Sequence, residues 1–256
     1  MKTNILKRML RDNNQIYCSW VTIGHPLIPE ILAPAGFHAL VVDMEHSSIT
    51  LKDLLMLIIS IENNGMVPLV RVGENNANLI KRVMDAGAYG VIVPNICAVE
   101  DVTTAINSVK YPPSGTRGVG LYRAHGYGKK FNEYLHWLES ESMVIIQIEH
   151  IDAVKKIDEI FSVPGIDAFF IGPYDLSGSM DKPGEFDDKE VEEAIHTVLE
   201  AGKKYNIPAG FHSVPSDWNE ANKYRDQGFK ILGFSVDSIF LGDAASSAMG
   251  KLKRDE

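Results

Sequence analysis

Two acidic residues each follow a short apolar run that is typical of a strand buried on both faces. Glu149 comes directly after Met143–Ile148, and Asp175 comes shortly after Ala168–Ile171. The segment Asp152–Phe161 between the runs has helical spacing, so a right-handed crossover brings both acids to the same edge of a parallel sheet. Two carboxylates at one edge are costly unless a cation or a shared proton lies between them. The pair therefore favours a site for Mg²⁺ or Mn²⁺.

Further polar side chains stand at or just after the ends of other apolar runs. They are Trp20, Glu45, His46, Arg71, Asn95, Gln147, His212, Ser235 and Asp237. The starts of these runs carry fewer such groups, and this asymmetry predicts that one rim of the fold holds an active site. Structural explanations stay open for several of them, because a carboxylate can cap a helix and a histidine or glutamine can satisfy hydrogen bonds in the core.

Arg71 is the residue for which a structural explanation is weakest. It follows the apolar run Val67–Val70, and a buried guanidinium there needs a carboxylate partner. A 2-oxo acid supplies one, since its carboxylate can accept two parallel hydrogen bonds from the guanidinium. The sequence therefore indicates a substrate with an anionic oxo-acid group bound near the two acids.

Eight short apolar runs alternate with segments of helical spacing along the whole chain. The runs are Tyr17–Thr22, Ala39–Val42, Val67–Val70, Gly90–Val93, Met143–Ile148, Ala168–Ile171, Pro208–Phe211 and Lys230–Phe234. Strict alternation of strand and helix over about 250 residues predicts an α/β protein with the (β/α)8 TIM-barrel fold. No Gly-, Pro- or Ser-rich linker divides the chain, so we expect one domain over residues 1–256. A doubly wound open sheet is the weaker alternative, because no Gly-x-Gly-x-x-Gly turn follows the first strand.

The overall composition narrows the classes of partner. A formal net charge of -9 and a sequence pI near 5.4 argue against a nucleic acid or an anionic membrane. The two cysteines, Cys18 and Cys97, have no disulfide-framework spacing. The sequence shows no signal-peptide pattern and no apolar run of membrane-spanning length. We therefore expect a cytoplasmic protein.

Several covalent mechanisms lack the residues that they need. A Schiff-base aldolase requires a lysine in its pocket, and no lysine ends a predicted strand. Neither cysteine has a strong case for a paired histidine, and the serines Ser177 and Ser179 do not lie in a nucleophile elbow. No Gly-rich phosphate cradle follows the last two strands, which disfavours a phosphorylated substrate. A metal ion is then the remaining electron sink.

Longer motifs give a more specific indication than single residues. They include Val42-Asp-Met-Glu-His, Pro68-Leu-Val-Arg-Val, Tyr111-Pro-Pro-Ser-Gly-Thr-Arg-Gly-Val-Gly, Gln147-Ile-Glu-His and Ile171-Gly-Pro-Tyr-Asp-Leu-Ser-Gly-Ser. With these motifs the chain resembles, over nearly its whole length, the HpcH/HpaI family of metal-dependent class II pyruvate aldolases. The resemblance implies reversible cleavage of a 4-hydroxy-2-oxo acid to pyruvate and an aldehyde. It also implies a divalent cofactor, Mg²⁺ or Mn²⁺, with Co²⁺ as a further candidate.

The resemblance assigns catalytic roles to residues at the predicted rim. Glu149 and Asp175 match the metal ligands of the family. Arg71 matches the arginine that steadies the pyruvyl oxygen. His46, held by Asp85, matches the acid/base dyad that removes the proton from the C4 hydroxyl group.

Substrate and subunit contacts are implied in the same way. Gln147 matches a residue beside the metal and pyruvate, and the backbone at Gly172 and Pro173 is implied to meet the pyruvate carboxylate. Trp20, at the end of the first strand, is a further predicted substrate-binding residue. Members of the family are homo-oligomers, commonly hexamers built from dimers that exchange the C-terminal helix. We therefore expect a 2-oxo acid, an aldehyde and other copies of the chain as partners.

Two segments depart from the family pattern and leave the aldehyde undefined. Ser47-Ser48 replaces a small residue followed by Pro, and Leu121-Tyr-Arg-Ala-His-Gly follows the Arg-Gly-Val-Gly motif. The second segment lies in Tyr111–Lys130, a long Gly- and Pro-rich stretch that predicts a lid or a binding loop. Two alternatives stay open: other pyruvate-enolate chemistry, such as oxaloacetate decarboxylation or an acyl-CoA lyase reaction, and a non-catalytic 2-oxo-acid binder.

Overall fold

Eight parallel strands close into a barrel in the computed structural model, which describes residues 2–252. Each strand pairs with the next one along the chain, and the last pairs with the first. The strands are β1 Ile16–Val21, β2 Ala39–Asp43, β3 Val67–Arg71, β4 Gly90–Val93, β5 Met143–Ile148, β6 Ala168–Ile171, β7 Ala209–Ser213 and β8 Ile231–Val236. The predicted single-domain (β/α)8 fold is confirmed. The ends of the predicted domain, residues 1 and 256, lie outside the described residues.

Helices follow the strands and pack around the barrel. They are α1 Ile5–Arg11, α2 Leu27–Leu32, α3 Leu51–Asn63, α4 Ala77–Ala86, α5 Val99–Val109, α6 Phe131–Ser140, α7 Ile151–Lys155, α8 Ile157–Phe161, α9 Pro173–Gly178, α10 Lys189–Tyr205, α11 Trp218–Asp226 and α12 Asp237–Leu252. Local signals set their limits: a Thr50–Asp53 capping box starts α3, and Gly87, with φ 107°, ends α4. No helix within residues 2–252 is long and apolar enough to cross a membrane.

The inside of the barrel is filled by aromatic rings that need glycine on neighbouring strands. A Cβ atom at Gly210 would lie 2.9 Å from Cζ of Phe170, and a Cβ atom at Gly233 would collide with the indole of Trp20. Phe170 and Trp20 are both nearly fully buried, and their rings meet edge to face at 5.3 Å. Glycine at these two positions therefore makes room for the aromatic floor below the rim.

Two predicted elements differ from the structure. The predicted helix Asp152–Phe161 is divided into α7 and α8, because Lys156 between them leaves helical geometry with φ -110° and ψ 16°. The segment after β6, for which the sequence analysis predicted no helix, begins with the short helix α9. Its first residue is Pro173, a residue well suited to the first helical position because its φ is already fixed and its missing N–H has no helical partner there.

The long segment Tyr111–Lys130 lies at the other end of the barrel from the predicted site. It connects the end of α5 to α6, which precedes β5, so it belongs to the rim where the strands begin. Arg123 of this segment donates to the carbonyl of Ala86 at the end of α4 and pairs with Glu62 near the end of α3. Within one chain the segment therefore lies apart from the predicted metal-binding residues, and its role as a lid or a binding loop stays a prediction.

Candidate active site

Arg71 is fixed at the end of β3 by a carboxylate that the sequence analysis did not assign. Nε of Arg71 donates to Oδ1 of Asp43 at 2.9 Å, and Nη2 donates to Oδ2 at 2.6 Å. Nη1 lies 3.2 Å from Oε2 of Glu45. Asp43 and Arg71 are direct neighbours in the β2–β3 register, which is the signal that would have identified this partner. The expectation that a substrate carboxylate occupies the fork of Arg71 is corrected, since Asp43 occupies it.

Asp43 also organises the turn that follows β2. Its Oδ1 accepts hydrogen bonds from the backbone N–H groups of Glu45 and His46, at 3.0 and 3.3 Å. Burial alone would raise the pKa of Asp43, but the hydrogen bonds and charge of Arg71 outweigh burial and hold this pKa below its usual value. Asp43 is therefore an anionic anchor at neutral pH for both Arg71 and the start of the His46 turn.

Glu149 is a buried carboxylate held by neutral donors. The backbone N–H of Asn95 donates to its Oε1 at 2.7 Å, and Nε2 of Gln147 donates to its Oε2. Asn95 stands in the left-handed region, with φ 55°, which Asn tolerates better than most residues. A Cβ atom at Gly172 would lie 2.9 Å from Cβ of Glu149, so glycine permits the close approach of the two strand ends.

Negative charge is concentrated around Glu149. Burial raises its pKa most, and the nearby carboxylates of Glu45 and Asp175 raise it further, against the hydrogen bond from Asn95. Neither Glu149 nor Asp175 forms an ion pair with a basic side chain among residues 2–252, whereas Asp43 and Glu45 share Arg71. Repulsion between uncompensated carboxylates is relieved by a cation.

The donor set fits a hard divalent ion. Carboxylate and amide oxygens are ligands that Mg²⁺ and Mn²⁺ accept, and Glu149, Asp175 and Gln147 supply them. No group of three or more His, Cys, Asp or Glu side chains arranged to hold a metal occurs within residues 2–252. A metal ion here would thus have two carboxylate ligands, with the remaining positions left to water and substrate.

His46 and Asp85, predicted to act as a dyad, are not paired within the chain. His46 is exposed, and its Nε2 lies 3.7 Å from Oε2 of Glu45. Asp85 lies in the last turn of α4, and this helix runs from the end of β3 back toward the rim where β4 begins. The structure therefore corrects the expectation of a contact inside one chain, because the two residues belong to opposite ends of the barrel.

Asp85 has a buried partner of its own. Nη2 of Arg117 donates to its Oδ1 at 2.9 Å and also contacts the hydroxyl group of Tyr134 at 2.9 Å. Nη1 of Arg117 donates to the carbonyl of Val109 at 3.0 Å. The side chain of Arg117 is fully buried, so Asp85 is held rigidly by a charge-assisted hydrogen bond.

The remaining predicted substrate residues lie at the same rim as Glu149. Gly172 and Pro173 join β6 to α9, but neither has a free backbone donor, since the N–H of Gly172 bonds to the carbonyl of Ile148 and Pro173 has none. Trp20 of β1 is buried and stacks on His212 of β7, with ring centroids 4.1 Å apart and planes at 8°. The sequence marked His212 as a residue at a strand end but gave it no role.

Comparisons with known proteins identify the family of the chain. A sequence profile of the HpcH/HpaI aldolase/citrate lyase family matches residues 17–244. A hydroxypyruvate/pyruvate aldolase from Paraburkholderia phytofirmans is 31% identical over 258 aligned residues, covering 98% of each chain. A 2-dehydro-3,6-dideoxy-6-sulfogluconate aldolase from Pseudomonas putida is 32% identical, covering 96% of this chain and 95% of the relative.

A solved structure is similar over the whole barrel. The crystal structure of an HpcH/HpaI aldolase/citrate lyase family protein from Burkholderia cenocepacia superposes with a TM-score of 0.92 at 32% sequence identity, covering 98% of this chain and 100% of that one. The profile match, the sequence identities and the shared barrel lead to one conclusion. This chain belongs to the HpcH/HpaI aldolase/citrate lyase family.

Proposed function

We propose that the protein cleaves a 4-hydroxy-2-oxo acid reversibly into pyruvate and an aldehyde, with a divalent metal ion as cofactor. The observation that carries this proposal is the uncompensated pair Glu149 and Asp175 beside the clamped guanidinium of Arg71. Its relatives are named aldolases, and the predicted carbon–carbon lyase class is confirmed with the family. Those names favour the aldolase over the alternatives of decarboxylation, acyl-CoA chemistry or simple binding.

Glu149 and Asp175 are the proposed metal ligands, with Gln147 beside them. Mg²⁺ and Mn²⁺ suit these oxygen donors, and Co²⁺ is a further candidate. A bound divalent ion would polarise the 2-oxo group of the substrate as a Lewis acid. Gln147 already donates to Glu149, so it orients one ligand and leaves its own amide oxygen available. Gly172 keeps the space beside Glu149 free of a side chain.

Arg71 is the proposed stabiliser of the charge that develops on the C2 oxygen when the C3–C4 bond breaks. Three of its nitrogen atoms are oriented by Asp43 and Glu45, so the guanidinium is fixed before substrate binds. A preorganised donor of this kind costs no reorganisation at the moment of reaction. His46, exposed at the mouth, is the proposed base for the C4 hydroxyl proton, and its Nε2 lies 3.7 Å from Oε2 of Glu45.

The role of Asp85 requires a second copy of the chain. Asp85 and His46 lie at opposite ends of one barrel, so the dyad implied by the family can form only across an interface between subunits. One oxygen of Asp85 is held by Arg117, and its other oxygen has no hydrogen-bond partner in the described part of the chain. We therefore infer that the active form is a homo-oligomer in which one subunit orients the base of another.

Helix α12 supports the inference of an oligomer. Residues 241–252 are exposed, including Leu241 and Met249, and Asp243 of this stretch accepts a hydrogen bond from Ser216. A groove of about 420 Å³ beside β8, lined by Leu232, Phe234 and Phe240 among others, stays uncovered. Exchange of α12 between subunits would cover both apolar surfaces. Light scattering tests this, because Leu241→Glu with Met249→Glu lowers the mass of an exchanged oligomer and leaves that of a monomer unchanged.

The proposed activity is tested by measuring pyruvate release from a panel of 4-hydroxy-2-oxo acids. Release should need Mg²⁺, Mn²⁺ or Co²⁺, should stop with EDTA, and should be lost when Glu149 and Asp175 are both changed to Ala. The matched control is the double variant Glu192→Ala with Glu193→Ala, which removes two negative charges at exposed positions of α10 and should leave pyruvate release unchanged. Full release by the Glu149 and Asp175 variant would exclude this site. A cytoplasmic location stays a prediction, in keeping with the free thiols of Cys18 and Cys97.

A further inference from the structure

Trp20 carries a buried hydrogen-bond donor that has no partner. Only 2% of the residue is exposed, and its Nε1 finds no acceptor among the described residues. The benzene edge of the indole faces β8, since a Cβ atom at Gly233 would lie 3.1 Å from Cε3. The N–H group is on the opposite edge and points away from β8. An unmet buried donor is costly, so its presence at the rim of an active site indicates a ligand.

His212 supplies an acceptor beside this donor. Its Nε2 lies 3.2 Å from the carbonyl oxygen of Ser235, which requires a proton on Nε2. Burial lowers the pKa of His212 to about 4, against the hydrogen bond to Ser235, so the ring is neutral at pH 7 and Nδ1 is an acceptor. In the described part of the chain Nδ1 has no hydrogen-bond partner.

The two rings form one polar unit next to the proposed reaction centre. They are stacked with centroids 4.1 Å apart, and Cδ2 of His212 also faces β8, 3.3 Å from where a Cβ atom at Gly233 would lie. Nδ1 of His212 therefore lies on the same side as the Trp20 donor, so one small group can approach both. Trp20 contacts Phe170 of β6, the strand that leads into Gly172, and the charges of Arg71 and Asp43 act on His212. A group bound here would therefore lie beside the carbon atoms that react.

We propose that Trp20 and His212 recognise a hydroxyl group of the substrate next to the reacting carbons. A hydroxyl group accepts one hydrogen bond and donates another, which matches an indole N–H and a neutral imidazole nitrogen. The proposal rests on the proposed function and narrows its substrate class to 4-hydroxy-2-oxo acids that carry a further hydroxyl group at C3 or C5. The hydroxyl group belongs either to the 2-oxo acid half, as in hydroxypyruvate, or to the aldehyde half, as in glycolaldehyde.

The test compares four aldol additions, in which pyruvate or hydroxypyruvate reacts with acetaldehyde or glycolaldehyde. We expect the unmodified protein to prefer the hydroxylated compound in one half, measured as a ratio of kcat/KM values. His212→Phe keeps an aromatic ring for the stack but removes the acceptor, and should lower that ratio by about 3- to 10-fold. Trp20→Phe should lower the same ratio, and the half whose ratio falls identifies the source of the hydroxyl group.

Two further variants separate recognition from packing. His212→Gln keeps a hydrogen-bonding side chain without the ring and should retain more of the preference than His212→Phe. His196→Phe, at an exposed position of α10, is the matched control and should leave the ratio unchanged. An equal fall for all four substrate pairs in both His212→Phe and Trp20→Phe would overturn the inference, because the rings would then act by packing alone.

Failure of the proposed function gives a different result. If the unmodified protein makes no product from any pair and does not exchange the methyl protons of pyruvate in D₂O with metal, the proposed aldolase function is wrong. Calorimetric titration with hydroxypyruvate, pyruvate, glycolaldehyde and acetaldehyde then tests the inference without turnover. The inference is supported if hydroxypyruvate binds more tightly than pyruvate, or glycolaldehyde more tightly than acetaldehyde, and if that tighter binding weakens at least threefold in His212→Phe. It is overturned if the two compounds of each pair bind equally.

Discussion

The ion pair between Asp43 and Arg71 decides how charge is distributed among the residues of the rim. Asp43 and Glu45 pair with the guanidinium and hold it in place, while no basic side chain among the described residues pairs with Glu149 or Asp175. The result is a fixed cation and an anionic pair side by side, which polarises an oxo group from two directions once a metal ion is bound. The chemistry depends on keeping these charges separate.

Replacing Arg71 tests the first half of this arrangement. Arg71→Ala should lower kcat for pyruvate release by about 10²–10³-fold, the usual loss for one preorganised donor at a developing oxyanion. Arg71→Lys should not restore the rate, since an ammonium group cannot form the two parallel bonds to Asp43. The measurement is a coupled pyruvate assay, with circular dichroism to show that the barrel is intact. Unchanged kcat in Arg71→Ala would exclude its role.

His212 predicts how stability depends on pH. Its pKa is lowered to about 4 in the folded state, so between pH 6.5 and 4 the unfolded chain binds more protons, and stability falls as pH falls. This group alone should make the protein about 2 kcal/mol less stable at pH 5 than at pH 7. Urea unfolding at the two pH values measures the difference. The change in unfolding free energy between pH 7 and pH 5 should be about 2 kcal/mol smaller in His212→Phe than in the unmodified protein. An identical change in both proteins would contradict the lowered pKa of His212.

Among the elements, the turn from β6 to α9 leaves no room for a side chain beside Glu149. Gly172 lies so close to Glu149 that an added Cβ atom would be 2.7 Å from Oε2. Gly172→Ala should push Glu149 away from Asp175, and we expect metal affinity to fall by about 10-fold or more, as when residues that support a metal ligand are lost. Titration with Mn²⁺ monitored by electron paramagnetic resonance measures this. Gly178→Ala, where an added Cβ atom meets nothing within 4 Å, is the control.

The strands were predictable from the sequence because each is a short apolar run buried on both faces. In the structure the seventh and eighth strands end two residues later than predicted, at Ser213 and Val236, and each begins one residue later. The fourth, fifth and sixth strands have the predicted bounds. The short helix α9 was missed because six residues carry little periodicity, although Pro173 at its start was a usable signal. Short helices depend on their neighbours more than on their own sequence.

The sequence was sufficient to predict which residues lie at the strand ends, but not which side chains pair with each other there. Positions such as Glu149 and Gln147 could be placed on one face by strand alternation, and their hydrogen bond agrees with this. The partner of Arg71 needed the register between β2 and β3, which no single run reveals. Whether the indole N–H of Trp20 has a partner depends on how three strands pack, so it is visible only in the structure.

At the scale of the whole molecule, the two ends of the barrel carry complementary halves of the proposed mechanism. One end presents the exposed base His46, and the other presents Asp85 on a buried Arg117. If subunits combine these halves, inactive variants should complement each other. We expect His46→Ala and Asp85→Ala to be weakly active alone.

Mixing the two variants tests the interface directly. The two variants are co-expressed with different tags. A site is complete when an Asp85→Ala chain supplies His46 and a His46→Ala chain supplies Asp85, so random assembly should restore about one quarter of full activity. The control is a mixture of His46→Ala with a chain that carries both substitutions, which has no complete site. If the first mixture is no more active than its components, the dyad does not form between subunits.

Exchange of the methyl protons of pyruvate in D₂O, followed by proton NMR, tests the central claim most directly, because it detects enolate formation without any knowledge of the aldehyde. We predict exchange with Mg²⁺ or Mn²⁺, none with EDTA, and a loss of about 10²-fold or more in both Arg71→Ala and Glu149→Gln. Exchange that continues at the full rate in EDTA, or in the Glu149→Gln variant, would contradict a metal-dependent pyruvate aldolase.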